Sequence, residues 1–387
     1  MDFIPYGRQS ISEKDIDAVV EVLRSDFLTQ GPVVPTFEKA VAQKVGAQHG
    51  VAVNSATSAL HISCLALGLG AGDWLWTVPN TFVASANCAR YCGAQVDFVD
   101  IDAKTWNLSV AALESKLRQY RKEGKPLPKV LVSVHFSGQP TEQERIWELA
   151  QEFGFRVLED ASHAIGAHRN REPVGSCRWS DITVFSFHPV KIITTGEGGM
   201  ALSNDSELAW KMDILRTHGI TRAEDRLEQK SLGPWYYEQQ TLGFNYRMTD
   251  IQAALGLSQL ESLDEFVARR NHLAQRYDKL LGGLPIQRPT VLKDNLSSFH
   301  LYVIRLPTRE RPEVHKRVFE ELRKAGIGVN LHYMPVHLQP DYQRLGFKED
   351  MFPESEAYGR EAISLPLYTL LTEEQQDQIV SCLKQLL

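Results

Sequence analysis

The chain has 387 residues, with 42 Lys+Arg against 48 Asp+Glu and a formal net charge of -6. That balance, with no block of like charges, excludes a general attraction to nucleic acid or to an anionic membrane surface, since both need a basic stripe. Hydrophobic residues at 43% and charged residues at 23% are globular proportions, which exclude disorder and collagen-like repeats, and the length predicts about two or three domain-sized units.

The opening MDFIPYGRQS has neither a basic nor an apolar region, so no signal peptide is expected. Gly50–Val53 reads as a strand and Ala56–Leu69 as a helix. Val51–Gly72 is the most apolar stretch, but Asn54, Ser55, Thr57 and His61 interrupt it, so no membrane span is expected. Trp74–Val78 and Val96–Val99 are strand-like, Phe82–Tyr91 and Val110–Arg121 helix-like. Lys129–His135 reads as a buried strand, followed by helical periodicity over Glu142–Phe153. Phe155–Leu158 and Asp181–Phe187 are further strands. This alternation predicts an α/β fold with a mostly parallel mixed sheet flanked by helices.

The polar stretch Gln229–Gln240 is expected to be a surface loop. From Thr249 the periodicity becomes helical for about nine turns at 3.6 residues each, long enough to connect two domains. A strand over His300–Leu306, a helix over Pro312–Lys324, an apolar strand over Ile327–His332 and a helix over Thr372–Leu386 predict a smaller α+β domain. The expected division is residues 1–258 as the large domain and residues 259–387 as connector helix and small C-terminal domain. The N-terminal segment is able to pack on the small one. Cys64, Cys88, Cys92, Cys177 and Cys382 are odd in number and irregularly spaced. They predict ordinary thiols in a reducing, cytoplasmic compartment. No His or Cys cluster completes a zinc site, so no metal is expected.

Four features sit just beyond predicted parallel strands, where α/β sheets bind ligands. Asn54-Ser55-Ala56-Thr57-Ser58-Ala59 joins a strand to a helix with small residues only. It is either a plain helix cap or a phosphate site. Asp160 follows a buried strand as either a helix cap or a functional carboxylate. Lys191, in Ser186-Phe187-His188-Pro189-Val190-Lys191, is either a solvated loop lysine or a desolvated nucleophile. Thr194-Thr195-Gly196-Glu197-Gly198-Gly199 allows tight turns, and is neither a Walker A loop nor a GxGxxG motif. Taken together they supply an amine, a carboxylate and a phosphate-binding helix start, the set that pyridoxal phosphate needs.

The strings LTQGP, NSATSAL, EDASHAIGA, SFHPVKIITTGEGG, GFNYRMTDIQAALGLSQL and HYMPVH, in that order over nearly the whole chain, resemble the sugar-nucleotide aminotransferases of the DegT/StrS type. Within that family the match is nearest the branch of the pseudaminic acid pathway, which ISLP (Ile363–Pro366) also resembles. The resemblance implies a fold-type I aminotransferase that works as a homodimer with shared active sites. Lys191 would hold the cofactor covalently, Asp160 would pair with the pyridine nitrogen, and His163 would sit near the ring. Ala56, Thr57 and Ser186 would bind the phosphate, Asn245 would reach it from the neighbouring subunit, and Phe82 would stack on the ring. Tyr6, Asp26, Phe27, Leu28, Thr29, His332, Tyr333, Met334 and Pro335 would face the substrate, beside Ala56, Ser186 and Asn245. Arg247 would serve the donor's carboxylate or the dimer interface.

The substrates implied are L-glutamate and a UDP-linked 4-keto-6-deoxy-N-acetylhexosamine. The open alternatives are the same chemistry on a dTDP-, GDP- or other UDP-linked keto sugar, or a non-catalytic cofactor-binding sensor. The retained Lys191 and Asp160 argue against the sensor. Lys191 also argues against a dehydrating branch of the family that carries histidine there.

Overall fold

In the computed structural model, which describes residues 3–306 and 312–387, the first two-thirds of the chain folds around one seven-stranded sheet. Strands β1 (His49–Val53), β2 (Trp74–Thr77), β3 (Gln95–Phe98), β4 (Val130–Val134), β5 (Arg156–Asp160), β6 (Ile182–Ser186) and β7 (Gly199–Ser203) lie in the order β1-β7-β6-β5-β4-β2-β3. Strands β2 to β6 pair in parallel, and β7 runs antiparallel between β1 and β6. The predicted strands and helices are present here with ends moved by a few residues. Strand β7 is not among the expected ones. Its sequence GMALS follows a glycine run and gives no signal of direction.

The sheet is covered on both faces, so its strands are apolar on both. Strands β4 and β6 are buried at every position. Alternate residues enter opposite cores. Val51 and Val53 of β1 pack with Trp76, Leu131 and Leu158. Ala52 packs on the other face with Phe37, Phe185 and Met200. The helices α1 (Glu13–Leu23), α2 (Val33–Val45), α3 (Ala56–Ala66), α4 (Ala84–Tyr91), α5 (Val110–Glu123), α6 (Gln143–Phe153) and α7 (Ser206–Arg216) belong to this part of the chain.

The single long helix expected from residue 249 is two helices, α8 (Asp250–Glu261) and α9 (Leu263–Leu280). At Ser262 the backbone turns to φ -90 and ψ 1, and its N–H bonds back to Gln259. An i→i−3 bond in place of i→i−4 breaks the ladder. The two helices have different partners, which explains the break. Helix α8 packs on α1 and α2. Helix α9 starts in the core beneath the sheet at Leu263 and Val267, and ends in a third core at Leu273, Ala274 and Tyr277.

That third core holds the pair β8 (Tyr302–Arg305) and β9 (Ala362–Leu365), the helices α10 (Pro312–Lys324) and α12 (Glu373–Leu386), and Ile4 from the N-terminal segment. Helix α11 (Pro353–Glu361) leads into β9. The strand expected over Ile327–His332 is extended chain with single bridges only, Ile327 to Ile4 and Asn330 to Ser364. Its neighbours on the two sides belong to different segments, so no continuous ladder forms. In the expected surface loop, Glu238–Gln239 pairs with Ile220–Thr221, and Trp235 stands 73% exposed. Among the described residues no helix is long and apolar enough to cross a membrane. No three His, Cys, Asp or Glu side chains among them gather as metal ligands.

Candidate active site

Strands β1 to β6 share one direction, so their C-terminal ends meet at one edge, where antiparallel β7 begins. The segments leaving that edge wall a cavity of ≈ 500 Å³, within the roughly 300–1,000 Å³ typical of small-molecule sites. Ala56, Thr57, Phe82, Asp160, His163, Ser186 and Lys191 all line it, as do Tyr6, His332 and Tyr333 from outside the sheet.

Helix α3 starts where β1 ends. Ser55 caps it, its hydroxyl accepting the Ser58 N–H at 3.1 Å. The first amides of a helix have no intrahelical partner, so those of Ala56 and Thr57 face the cavity with the positive end of the helix dipole behind them. Gly199 makes this approach possible. A Cβ there would lie 2.5 Å from the Ala56 nitrogen, so β7 passes the helix start only without a side chain.

Asp160 ends β5 and is 6% exposed. Its Oδ1 accepts the Ser162 N–H at 3.1 Å and its Oδ2 the Ser85 hydroxyl at 2.6 Å. Lys191 lies in the loop between β6 and β7. Three bonds to Phe187 and Gly198 hold the base of that loop: Phe187 N–H to Gly198 O at 2.9 Å, Thr195 N–H to Phe187 O at 3.0 Å, and the Thr194 hydroxyl to Phe187 O at 2.9 Å. Part of the Lys191 side chain is open to the cavity, but the surrounding protein removes most of the water that would solvate a charge. Burial therefore lowers its pKa to about 8, against the opposing pull of Asp160.

Three histidines surround the amine and are kept neutral. Burial first, then the Lys191 charge, lowers the pKa of His163, His300 and His332, the last to about 3. The Ser137 N–H donates to His163 Nδ1 at 3.2 Å, so the neutral ring carries its proton on Nε2, 3.2 Å from the Tyr333 hydroxyl. His332 Nδ1 meets the Ser364 hydroxyl at 2.8 Å, and its ring centroid is 5.3 Å from that of Tyr6. His300 stands 4.4 Å from His163, ring to ring, and its Nδ1 is buried without a hydrogen-bond partner among the described residues. Phe82 leaves 57% of its surface open, a free aromatic face at the cavity wall.

The remaining predicted residues lie outside the cavity wall formed by one chain. Asp26, Phe27, Leu28 and Thr29 are exposed beside the start of α8, where the Asp250 N–H donates to Leu28 O at 3.0 Å and Thr29 bridges Thr249. Asn245 is exposed, and its backbone pairs with Thr217. Its neighbours follow the end of β1, Tyr246 O accepting the Asn54 N–H at 2.8 Å and Arg247 bridging Val53. Met334 is exposed, and Pro335 is buried against Gly359. Conversely, Thr81, His300 and Asn330 line the cavity and Ser85 stands behind it, none of them singled out from the sequence. The i, i+4 spacing of Thr81 and Ser85 across the start of a helix is a usable signal. His300 had none, because it precedes a strand of the distant third core.

A family model described as the DegT/DnrJ/EryC1/StrS aminotransferase family matches residues 9–384. The chain is 38% identical to the Bacillus subtilis spore coat polysaccharide biosynthesis protein SpsC over 387 residues, covering 99% of this chain and 97% of that one. Among solved structures it is similar to Helicobacter pylori PseC, an aminotransferase involved in the biosynthesis of pseudoaminic acid, at 32% identity and TM-score 0.90, covering 100% of this chain and 99% of that one. It is also similar to Streptococcus pneumoniae Spr1654 in its PLP-form, at 30% identity and TM-score 0.89 over 100% of both chains. The same protein has a PMP-form. The chain belongs to the DegT/DnrJ/EryC1/StrS aminotransferase family and is a pyridoxal phosphate-dependent sugar aminotransferase of fold type I.

The residues present fit that cofactor. The free amides of α3 suit a phosphate, Gly199 leaves the approach open, and an amine of lowered pKa stands near a buried carboxylate. The Lys191 amine is protonated below pH 8 and neutral above it, and only the neutral form attacks an aldehyde. Covalent capture of pyridoxal phosphate by cofactor-free protein, followed by absorbance, is expected to rise roughly tenfold per pH unit and to level off near pH 8. Asp160→Asn is expected to move that midpoint lower, since it removes the charge that favours the ammonium form. A rate still climbing to pH 10.5, the value of a free lysine, would contradict the burial argument.

Proposed function

We propose that this aminotransferase moves the amino group of L-glutamate to C4 of UDP-2-acetamido-2,6-dideoxy-beta-L-arabino-hexos-4-ulose, giving UDP-4-amino-4,6-dideoxy-N-acetyl-beta-L-altrosamine for pseudaminic acid biosynthesis. The observation that carries this reading is the likeness to Helicobacter pylori PseC along both chains. A second reading, the same transfer on another nucleotide-linked keto sugar, is favoured by the 38% identity to the spore coat polysaccharide protein.

When bound, pyridoxal phosphate supplies an aldehyde that carries the amino group and a ring that accepts electrons from the reacting carbon. The chain's own groups do the rest. Lys191 would hold the cofactor at rest; once free, its neutral amine would accept the proton of the donor's α-carbon, and the ammonium so formed would give that proton to the carbon of the cofactor's former aldehyde. A pKa of about 8 suits that exchange near neutral pH. Asp160 keeps the pyridine nitrogen protonated. The amides of Ala56 and Thr57, with the Ser186 hydroxyl, hold the phosphate. Phe82 would stack on the ring, and His163 would sit near it. Tyr6, His332 and Tyr333 bind sugar hydroxyls, as their place on the cavity wall supports.

Among the described residues lining the cavity, Lys191 is the one Lys or Arg. Two anionic substrates and a phosphate therefore call for further contacts from a second copy of the chain. Asn245, Asp26, Phe27, Leu28 and Thr29 are exposed where a second copy could bring them to its neighbour's cavity, and Leu242 at 76% exposure offers apolar area for the contact. The working form on this reading is a homodimer with shared sites.

A coupled assay with L-glutamate and UDP-, dTDP- or GDP-linked 4-keto sugars, following 2-oxoglutarate, tests the substrate. A kcat/KM at least about 100-fold higher for the UDP-linked N-acetyl sugar is expected, since a pocket built to bond polar groups rejects what lacks them; a dTDP or GDP sugar turning over faster would favour the second reading. Mixing Lys191→Ala chains with Asn245→Ala chains tests the shared site. A mixed dimer would hold one intact site, so activity should reappear, whereas none returns if both residues act within their own chain.

A further inference from the structure

Asp160 is held by more than its own backbone. The side-chain torsion that sets the plane of an Asp carboxylate is broad and roughly two-fold, so its orientation has to come from its partners. One oxygen takes the Ser162 N–H at 3.1 Å. The other takes the hydroxyl of Ser85 at 2.6 Å, a side chain with no solvent exposure in the first turn of α4. Ser85 is in turn 2.7 Å from the hydroxyl of Thr81, one helical turn earlier and on the cavity wall.

The proton count fixes the direction of this chain. An ionised carboxylate only accepts, so Ser85 gives Asp160 its one proton. The contact between the two hydroxyls then has Thr81 as donor. The bonds run one way, Thr81 to Ser85 to Asp160, and each polarises the next. The short 2.6 Å contact is that of a hydroxyl on a charged acceptor. Asp160 itself lines the cavity, and its two oxygens have lone pairs beyond those that accept from Ser162 and Ser85.

We propose that Ser85 is a positioning residue for amino transfer, fixing the plane of the Asp160 carboxylate, and that Thr81 fixes Ser85. The inference rests on the reading of Asp160 as partner of the pyridine nitrogen. The effect of the two hydroxyls is to present one carboxylate lone pair to the cofactor in a single orientation.

Ser85→Ala, Thr81→Val and Asp160→Asn, each loaded with pyridoxal phosphate, separate the possibilities. For Ser85→Ala, kcat is expected to fall roughly 10- to 100-fold, the range for one hydrogen bond to a charged group. KM for L-glutamate should stay within about 3-fold, because the donor's own contacts are unchanged. Two readouts besides turnover should move: the absorption spectrum of the bound cofactor, and its dissociation constant, which should rise about 10-fold. Thr81→Val should show the same changes at smaller size, and it decides the matter if Ser85→Ala fails to fold. Wild-type kcat and spectrum in the folded hydroxyl variants, beside an inactive Asp160→Asn, would overturn the inference alone. A fully active Asp160→Asn would overturn the assignment of Asp160 and the inference with it.

Discussion

An amine surrounded by neutral imidazoles, with one carboxylate near it and little water, is the constraint on which the rest of the site depends. A lysine in the open, with its pKa near 10.5, offers far less neutral amine at neutral pH than one near 8, and only the neutral form attacks a carbonyl or accepts a proton. Burial brings Lys191 down to about 8, and Asp160 keeps it from falling further. The same burial holds His163, His300 and His332 uncharged, and the Lys191 charge acts on each in the same sense. The cavity thus carries its positive character at Lys191 and at the start of α3, the two places that a phosphorylated aldehyde would occupy.

The sheet makes that arrangement possible. Strands β1, β5 and β6 all end at one edge, delivering the α3 start, Asp160 and the Lys191 loop to one cavity. The antiparallel β7 lets the chain return straight from the Lys191 loop, and Gly199 lets that return pass against the Ala56 nitrogen. The opposite wall comes from elsewhere. Arg270 of α9, itself buried, donates to the carbonyls of Phe299, His300 and Leu367 at 3.0 to 3.3 Å. The Ser298 hydroxyl donates to His163 O at 2.8 Å. These bonds carry His300 across from the third core to stand beside His163.

What was legible in the sequence follows from the same geometry. Parallel strands buried on both faces are apolar runs, so β4 and β6 declared themselves, and the chemistry that follows such strands marked Asp160 and Lys191. Strand β7 did not, because its direction is decided by pairing and not by composition. The break at Ser262 was invisible because the helical periodicity continues through it; only the two different packing partners of α8 and α9 require it. Ser85 gives no sign of its partner in its own segment, because a serine's value here lies in the carboxylate it meets 75 positions away. Asp26 to Thr29 and Asn245 are exposed and off the cavity wall, so they carry no local sign of a site in their own surroundings; only the resemblance assigns them to one.

Lys191, and no other amine, is expected to bear the cofactor. Borohydride reduction of the purified, cofactor-loaded protein fixes that linkage permanently, and peptide mass mapping then locates it. The cofactor mass is expected on the peptide containing Lys191, with loss of the visible absorption band. Cofactor mass on a different lysine, or a reduced protein with no modified peptide, would contradict the assignment to Lys191.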